Sequence, residues 1–147
     1  MSHPSSGGSS DELVFQLQHA LGQAPPGLVS AYLFGSQAEG REHRESDVDL
    51  GVYFDYQRHP TSRSRFEAHL DLTRVLGPAL GRNDCDIVVL NDAPPQFSRH
   101  IVRSGRRVYC SDEEADRAFH RTVLSRAADL EPFLRRARQR ILAELAR

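Results

Sequence analysis

The 147-residue sequence contains no lysine and no tryptophan, and it has only two cysteines. All 19 of its basic residues are arginine, and 20 acidic residues bring the net charge to −1. A chain this close to neutral has no bulk field that would draw it to nucleic acid or to a membrane surface. Because lysine is absent, a phosphate would have to be bound by arginine side chains or by backbone amides.

Long hydrophobic runs and a cysteine framework are also lacking. No apolar segment approaches the roughly 20 residues of a membrane-spanning helix, and we expect no signal peptide. Cys85 and Cys110 fall in predicted strands, where reduced, buried thiols of a cytoplasmic protein are expected rather than a disulfide. A zinc site would need about four ligands in a tight pattern, and the sequence shows none.

The stretch that carries the chemistry begins with an apolar strand, Leu28–Phe34, which ends at Gly35 and Ser36. A polar loop follows, and the next apolar strand opens with Asp47 and Asp49. Side chains on a strand alternate between faces, so the two carboxylates point the same way. Ionised carboxylates side by side repel each other, and a basic side chain or a divalent cation is expected between them. Glycine lets the backbone approach a ligand, and the pattern indicates a nucleotide site with phosphate on one side and metal on the other.

A third carboxylate is predicted on a later strand, Asp84–Leu90, which follows a long helix. A right-handed crossover would place this strand beside the first pair. Asp86 could then reach the same edge of the sheet as the two earlier carboxylates. Asp84, two residues earlier on the same face, is the alternative.

The remaining elements follow from apolar periodicity and capping residues. The pattern predicts helices over Asp11–Leu21, from Ser62 or Ser64 to about Leu76, over Pro95–Ser104, and from Glu113 and Pro132 onward, with a short strand at Arg107–Cys110. Asp92 is expected to cap the helix at Pro95, and Gly105 to end it in a left-handed conformation. Residues 1–10 are expected to be a disordered tail, residues 11–112 the core, and residues 113–147 a helical extension packed on the core or on a partner.

Leu33–Ser36, Gly40 and Ser46–Leu50 together resemble the pattern of Gly-Ser, short loop and Asp-x-Asp found in the minimal nucleotidyltransferases of bacteria and archaea. These proteins belong to the polymerase-beta-like nucleotidyltransferase superfamily, and the resemblance covers residues 29–112. It implies an α+β fold in which a small mixed sheet of about four strands is packed by helices, with C-terminal helices beyond. It also implies that Asp86 is the third carboxylate.

The family resemblance implies a catalytic site as well. The implied metal ligands, for two Mg²⁺ ions, are Asp47, Asp49 and Asp86. The implied ligands of the ATP phosphates are Gly35, Ser36, Arg41 and Ser46, with Arg44 as the alternative to Arg41. The implied activity is a protein adenylyltransferase that moves AMP from ATP to a hydroxyl, expected to be a tyrosine, of a cognate HEPN ribonuclease toxin. The chain would thereby act as an antitoxin.

Two other functions are compatible with these residues. An antitoxin could keep the fold and neutralise its partner by binding alone. The nucleotidyltransferases that modify aminoglycoside-like small molecules share the motif, but they usually add a substantial helical domain, for which residues 113–147 leave little room. Nucleic-acid binding by the arginines of the C-terminal helices is not expected, because acidic neighbours cancel much of their field and no aromatic residues lie between them.

Overall fold

The computed structural model describes residues 7–35 and 47–147, with side chains from Asp11 onward. The helices are α1 (Gly7–Gly22), α2 (Ser62–Leu80), α3 (Pro95–Ser104) and α4 (Glu113–Leu145), and the strands are β1 (Leu28–Phe34), β2 (Val48–Phe54), β3 (Cys85–Val89) and β4 (Arg106–Cys110). The first helix therefore begins at Gly7, inside the segment predicted to be a tail. The prediction for residues 1–6 lies outside the described residues.

The four described strands form one mixed sheet in the order β3-β2-β1-β4. Strand β1 pairs antiparallel with both β2 and β4, and β2 pairs parallel with β3. A parallel neighbour requires a crossover, and α2 supplies it between β2 and β3. The predicted α+β fold with a small mixed sheet packed by helices is confirmed, as is the position of the third strand beside the first pair.

Helices cover both faces of the sheet. Alternate strand residues such as Leu33 and Leu50 pack with α1 and α2, where Leu17 and Leu72 are fully buried. The residues between them face α3 and α4 and form a second apolar cluster, which contains Tyr53, Leu90, Ile101, Phe119 and Val123. Each fully buried large side chain contributes about 1.5–3 kcal/mol to the free energy of unfolding, so the two layers of core stabilise the sheet.

Gly51 sets the close approach of α3 to the sheet. A Cβ at this position would lie 3.0 Å from a methyl of Leu90 and 3.1 Å from a methyl of Ile101. Glycine in the middle of a strand weakens it, and here the missing side chain is what lets Ile101 pack flat on β2. Gly51 follows Asp49 on the same face, so this contact fixes the helix beside the acidic residues.

Helix α2 passes through Gly77 and Pro78 and ends at Leu80, so the predicted end near Leu76 is wrong. Pro78 lies in the last turn, and its missing N–H removes the helical hydrogen bond to the carbonyl of Arg74, four residues earlier. The buried residues Leu76 and Leu80 keep this turn on the core. The helix then stops at Gly81, whose left-handed conformation lets its N–H reach the last carbonyls.

The two predicted caps of α3 are also wrong. Pro94 occupies the N-cap without a side-chain hydrogen bond, and Asp92 instead forms an ion pair with Arg65. Gly105 has a φ of −76° and is not left-handed. A Cβ there would lie 2.6 Å from the carbonyl oxygen of Ile101 and 3.1 Å from that of Leu33. The glycine is therefore required for space between two backbones and not for handedness.

Helix α4 is one element of 33 residues with Pro132 inside it, so the predicted second helix start is wrong. An internal proline costs about 3 kcal/mol, but the flanking residues are strong helix formers. Arg138 also donates to Glu131 at 2.9 Å and so bridges the turn that contains the proline. Only the first half of the helix is packed on the core. Within the distal half of α4, residues 130–145, Phe133, Ile141, Leu142 and Leu145 are all more than half exposed.

Both cysteines are free and partly buried, as predicted. Burial raises the pKa of the Cys85 thiol to about 11, so it stays protonated at neutral pH. In the described ranges, the structure contains no helix that is long and apolar enough to cross a membrane.

A buried polar cluster, which the sequence did not reveal, anchors the start of α4. The carboxylate of Asp116 is 2% exposed and accepts hydrogen bonds from the Tyr32 hydroxyl at 2.7 Å and from Arg107 at 3.0 Å. Burial alone would raise the pKa of Asp116, but these donors, the adjacent Ser30 hydroxyl and nearby His120 lower it below its ordinary value. The cluster therefore ties α4 to β1 and β4 through an ionised carboxylate.

We expect Asp116→Asn to lower the free energy of unfolding at pH 7 by about 1–3 kcal/mol, because buried donors lose a charged acceptor. Since the folded-state pKa is depressed, the contribution of Asp116 is present above about pH 4 and is lost as the pH falls through the folded-state value. The difference between variant and parent in urea denaturation should therefore shrink below about pH 4. Asp129→Asn, at an exposed position of the same helix, is the control; an Asp116→Asn deficit that stays constant down to pH 3 would contradict the assignment.

Candidate active site

Two of the predicted carboxylates lie side by side in the sheet. Asp49 on β2 is aligned with Asp86 on β3 in the parallel register, and it is aligned with Phe34, the last residue of β1, on its other side. Neighbouring strands are about 4.8 Å apart, so the two carboxylates start from adjacent backbone positions. Asp47 lies two residues before Asp49, immediately ahead of β2, and is exposed. The structure thus brings all three aspartates to one end of one sheet face.

The electrostatics of Asp49 reflect its burial and the two acidic neighbours beside it. Burial raises the pKa of Asp49, and the charges of Asp86 and Asp47 raise it further. None of the ion pairs found between described residues includes any of the three. Carboxylates this close repel each other, which a bound cation would relieve.

Gly35 lies directly against this acidic group. Its φ is +76°, a left-handed conformation that glycine adopts without strain. A Cβ on Gly35 would lie 2.5 Å from a carboxylate oxygen of Asp49. Both the turn after β1 and the space beside Asp49 therefore require glycine at this position. The backbone at Gly35 and the carboxylate of Asp49 therefore lie against each other.

Asp84, the alternative third carboxylate, is already paired. Arg82 donates to its two carboxylate oxygens in bidentate fashion, each at 2.8 Å. These bonds lower the pKa of Asp84 and raise the pKa of Arg82, to which the charge of Asp47 also contributes. The Arg82–Asp84 pair thus flanks the acidic group, whereas Asp86 is in register with Asp49 and exposed. The geometry favours Asp86 as the third carboxylate.

The predicted phosphate ligands Ser36, Arg41 and Ser46, and the alternative Arg44, lie outside the described residues. Gly35 is the described member of that set.

The fit of this edge to a divalent metal depends on the side chains that it presents. Within residues 7–35 and 47–147, no group of three or more His, Cys, Asp or Glu side chains is gathered closely enough to hold one ion. The donors that face the edge are nevertheless carboxylate oxygens, the hard ligands that Mg²⁺ prefers. Their mutual repulsion, seen in the raised pKa of Asp49, fits a cation-binding set. The donor chemistry therefore suits Mg²⁺.

An aromatic wall beside the carboxylates was missed from the sequence. Phe34, which is aligned with Asp49, packs edge-to-face on Phe97 of α3 with ring centroids 5.9 Å apart. The face on which Phe34 lies could have been predicted, because strand alternation places it on the same face as Tyr32 and opposite Leu33. No local pattern pairs it with Phe97, since the contact depends on how α3 crosses the sheet.

Comparison with known proteins gives consistent matches. The family model described as polymerase beta, nucleotidyltransferase matches residues 16–114. The protein adenylyltransferase MntA of Shewanella oneidensis is 29% identical over 89 residues, which are 60% of this chain and 59% of that protein. The alignment thus spans less than two thirds of the curated relative's length.

Solved structures resemble the whole chain. A chain from a crystal structure of a toxin–antitoxin with AMP-PNP superposes with a TM-score of 0.64 at 27% identity, covering 91% of this chain and 98% of that one. A chain from the complex of the tri-AMPylated Shewanella oneidensis HEPN toxin with its MNT antitoxin gives a TM-score of 0.53 at 22% identity, covering 97% and 99%. The second match is one of fold alone.

We expect Gly35→Ala to destabilise the protein by about 1–3 kcal/mol, because the added Cβ meets the Asp49 carboxylate and the backbone is left-handed. Urea denaturation measures the effect. Gly22→Ala is the matched control, since a Cβ at Gly22 has nothing within 4 Å; this variant should change stability by less than about 1 kcal/mol. Equal stabilities for the two variants would show that Gly35 is not sterically required.

Proposed function

Since the chain belongs to the polymerase beta nucleotidyltransferase family, we propose that it is a Mg²⁺-dependent protein adenylyltransferase of the cytoplasm. It transfers AMP from ATP to a tyrosine hydroxyl of a HEPN ribonuclease toxin and thereby acts as its antitoxin. The observation that carries the proposal is the register of Asp49 with Asp86, which sets carboxylates of two strands beside the bend at Gly35. The similarity to MntA and to a toxin–antitoxin bound to AMP-PNP supports the nucleotide and the kind of acceptor.

The proposed roles of Asp49 and Asp86 are based on their positions in the sheet, and those of Ser36, Arg41 and Ser46 on the family resemblance. The bend at Gly35, with Ser36, Arg41 and Ser46 from the adjoining loop, binds the β- and γ-phosphates of ATP through backbone amides, hydroxyls and a guanidinium. Asp47, Asp49 and Asp86 would hold the metal through their carboxylate oxygens. Mg²⁺, when bound, would neutralise phosphate oxygens and favour the phenoxide form of the tyrosine acceptor.

The transfer is a substitution at the α-phosphorus. The acceptor oxygen forms a new bond to that phosphorus, the bond to the bridging oxygen of the β-phosphate breaks, and pyrophosphate leaves. Asp86, exposed at the outer strand of the three, accepts the proton of the hydroxyl. As in other phosphate transfers, the protein mainly positions the groups and stabilises charge.

One other function has an observation in its favour. The distal half of α4 exposes Phe133, Ile141, Leu142 and Leu145, a surface suited to the helices of a partner. An antitoxin that neutralises its toxin by binding alone would need such a surface and no chemistry. The two functions differ in whether the partner gains mass.

We expect the partner protein encoded by the neighbouring gene to gain one or more adenylyl groups when it is mixed with this chain, ATP and Mg²⁺, as measured by intact mass spectrometry. Asp49→Asn and Asp86→Asn should each reduce the rate at least about 100-fold, because each removes a charged group that acts on the transition state. Asp84→Asn should retain transfer, since Asp84 is engaged by Arg82.

Chelation of Mg²⁺ with EDTA should stop the reaction in the parent protein. A tight complex without any mass gain would establish the binding-only function. Loss of transfer in Asp84→Asn with full activity in Asp86→Asn would assign the third carboxylate to Asp84.

A further inference from the structure

An apolar cleft runs along the outer edge of β3, between α2 and α3. Its volume is about 650 Å³, and its walls include Phe66 of α2, Phe97 of α3 and the β3 residues Ile87, Val88 and Val89. Phe66 is 56% exposed and Phe97 is 40% exposed, so two aromatic rings face solvent on opposite sides of one strand. A cleft of this size with exposed aromatic walls is typical of a binding site.

The backbone of β3 offers hydrogen-bonding groups to this cleft. Val48 donates to the carbonyl of Asp84 at 3.0 Å, and Leu90 donates to the carbonyl of Val52 at 2.7 Å. The alternation of a parallel ladder then turns the backbone groups of Asp86 toward β2 and those of Ile87 away from it. Within the described part of the chain, β3 is an edge strand of the sheet. Such an edge is a template for an added strand.

The far end of the cleft is rigid. Arg65, 9% exposed, donates to both carboxylate oxygens of Asp92, at 2.8 and 2.9 Å, and to the carbonyl of His59 at 2.9 Å. Asp92 also donates its N–H to the carbonyl of Val89 at 3.2 Å, which ends the strand. The cleft is therefore bounded at one end by a fixed ion pair, and its lining begins at the other end with Ile87, the residue after Asp86.

The order of the strands across the site indicates which reactant approaches from the β3 side. Gly35 immediately follows β1, Asp49 lies on β2 and Asp86 lies on β3. If phosphates occupy the β1 side, the α-phosphorus lies near β2, and the attacking group approaches from the β3 side opposite the leaving pyrophosphate. The cleft opens on that side. Its lining is mostly apolar and suits side chains of a polypeptide better than a charged triphosphate.

We propose that an extended segment of the partner polypeptide adds to the edge of β3 as a fifth strand and presents its acceptor hydroxyl at Asp86. The backbone of the segment pairs with Ile87, and its apolar side chains pack on Phe66 and Phe97. This inference rests on the proposed function, because the acceptor is taken to be a protein. It assigns the substrate-positioning surface to residues that touch neither ATP nor metal.

Two variants test the cleft. Phe66→Ala removes an exposed aromatic wall, and Ile87→Pro removes the outward N–H of the edge strand. Each should raise the KM for the partner protein on the order of 10-fold or more, as expected for loss of an aromatic anchor, and leave the Kd for Mg·ATP unchanged. Phe15→Ala, at an aromatic residue of α1 that is 69% exposed, is the matched control and should change neither quantity. Unchanged KM in Phe66→Ala, or a weakened Kd for Mg·ATP instead, would overturn the proposal.

Hydrogen–deuterium exchange separates this proposal from the proposed function. Exchange in the peptide covering residues 85–89 should slow in the complex of the full chain with its partner, whether or not AMP is transferred. Absence of that protection in a formed complex overturns edge docking even if transfer occurs. Protection without any transfer overturns the proposed chemistry and retains the docking site.

Discussion

The parallel pairing of β2 with β3 is the constraint on which the site depends. Its register aligns Asp49 with Asp86, two residues far apart in sequence. A shift of one residue would turn Asp86 to the opposite face of the sheet, where α1 and α2 pack. The register is held by buried apolar residues on that opposite face, including Val48 and Leu50. The hydrophobic core on one face of the sheet thus determines where Asp49 and Asp86 lie on the other.

Two glycines leave space on the face of the sheet that carries the aspartates. Gly51 lets Ile101 approach the sheet closely, and Gly35 leaves the space beside Asp49 open. The repulsion among the carboxylates opposes folding, and the large apolar layers on both faces offset it. The buried Asp116 cluster and the Arg65–Asp92 pair lie at a distance from the acidic edge and fix the helices around it.

Much of the fold could be predicted because strand alternation and helical periodicity are local signals. The apolar run Leu28–Phe34 gave the bounds of β1, and Pro95 and Gly105 gave those of α3. The crossover rule placed β3 beside the first pair. The prolines were predicted wrongly because each was judged by its own cost to a helix and not by the residues that offset that cost. Pro132 is tolerated within a long run of helix formers, and Pro78 within a turn held on the core by Leu80. Gly105 was misread for a similar reason, since its neighbours come from other elements. The cluster around Asp116 joins residues from β1, β4 and α4, and no sequence spacing encodes it.

The single long α4 has a mechanical consequence. Its distal half, residues 130–145, extends roughly 24 Å along the helix axis at 1.5 Å per residue. A protein bound to that arm would be tethered to the same rigid body that carries the catalytic edge. Tethering replaces repeated diffusional encounters with a local concentration in the millimolar range. The acidic edge would then stay within reach of the bound protein.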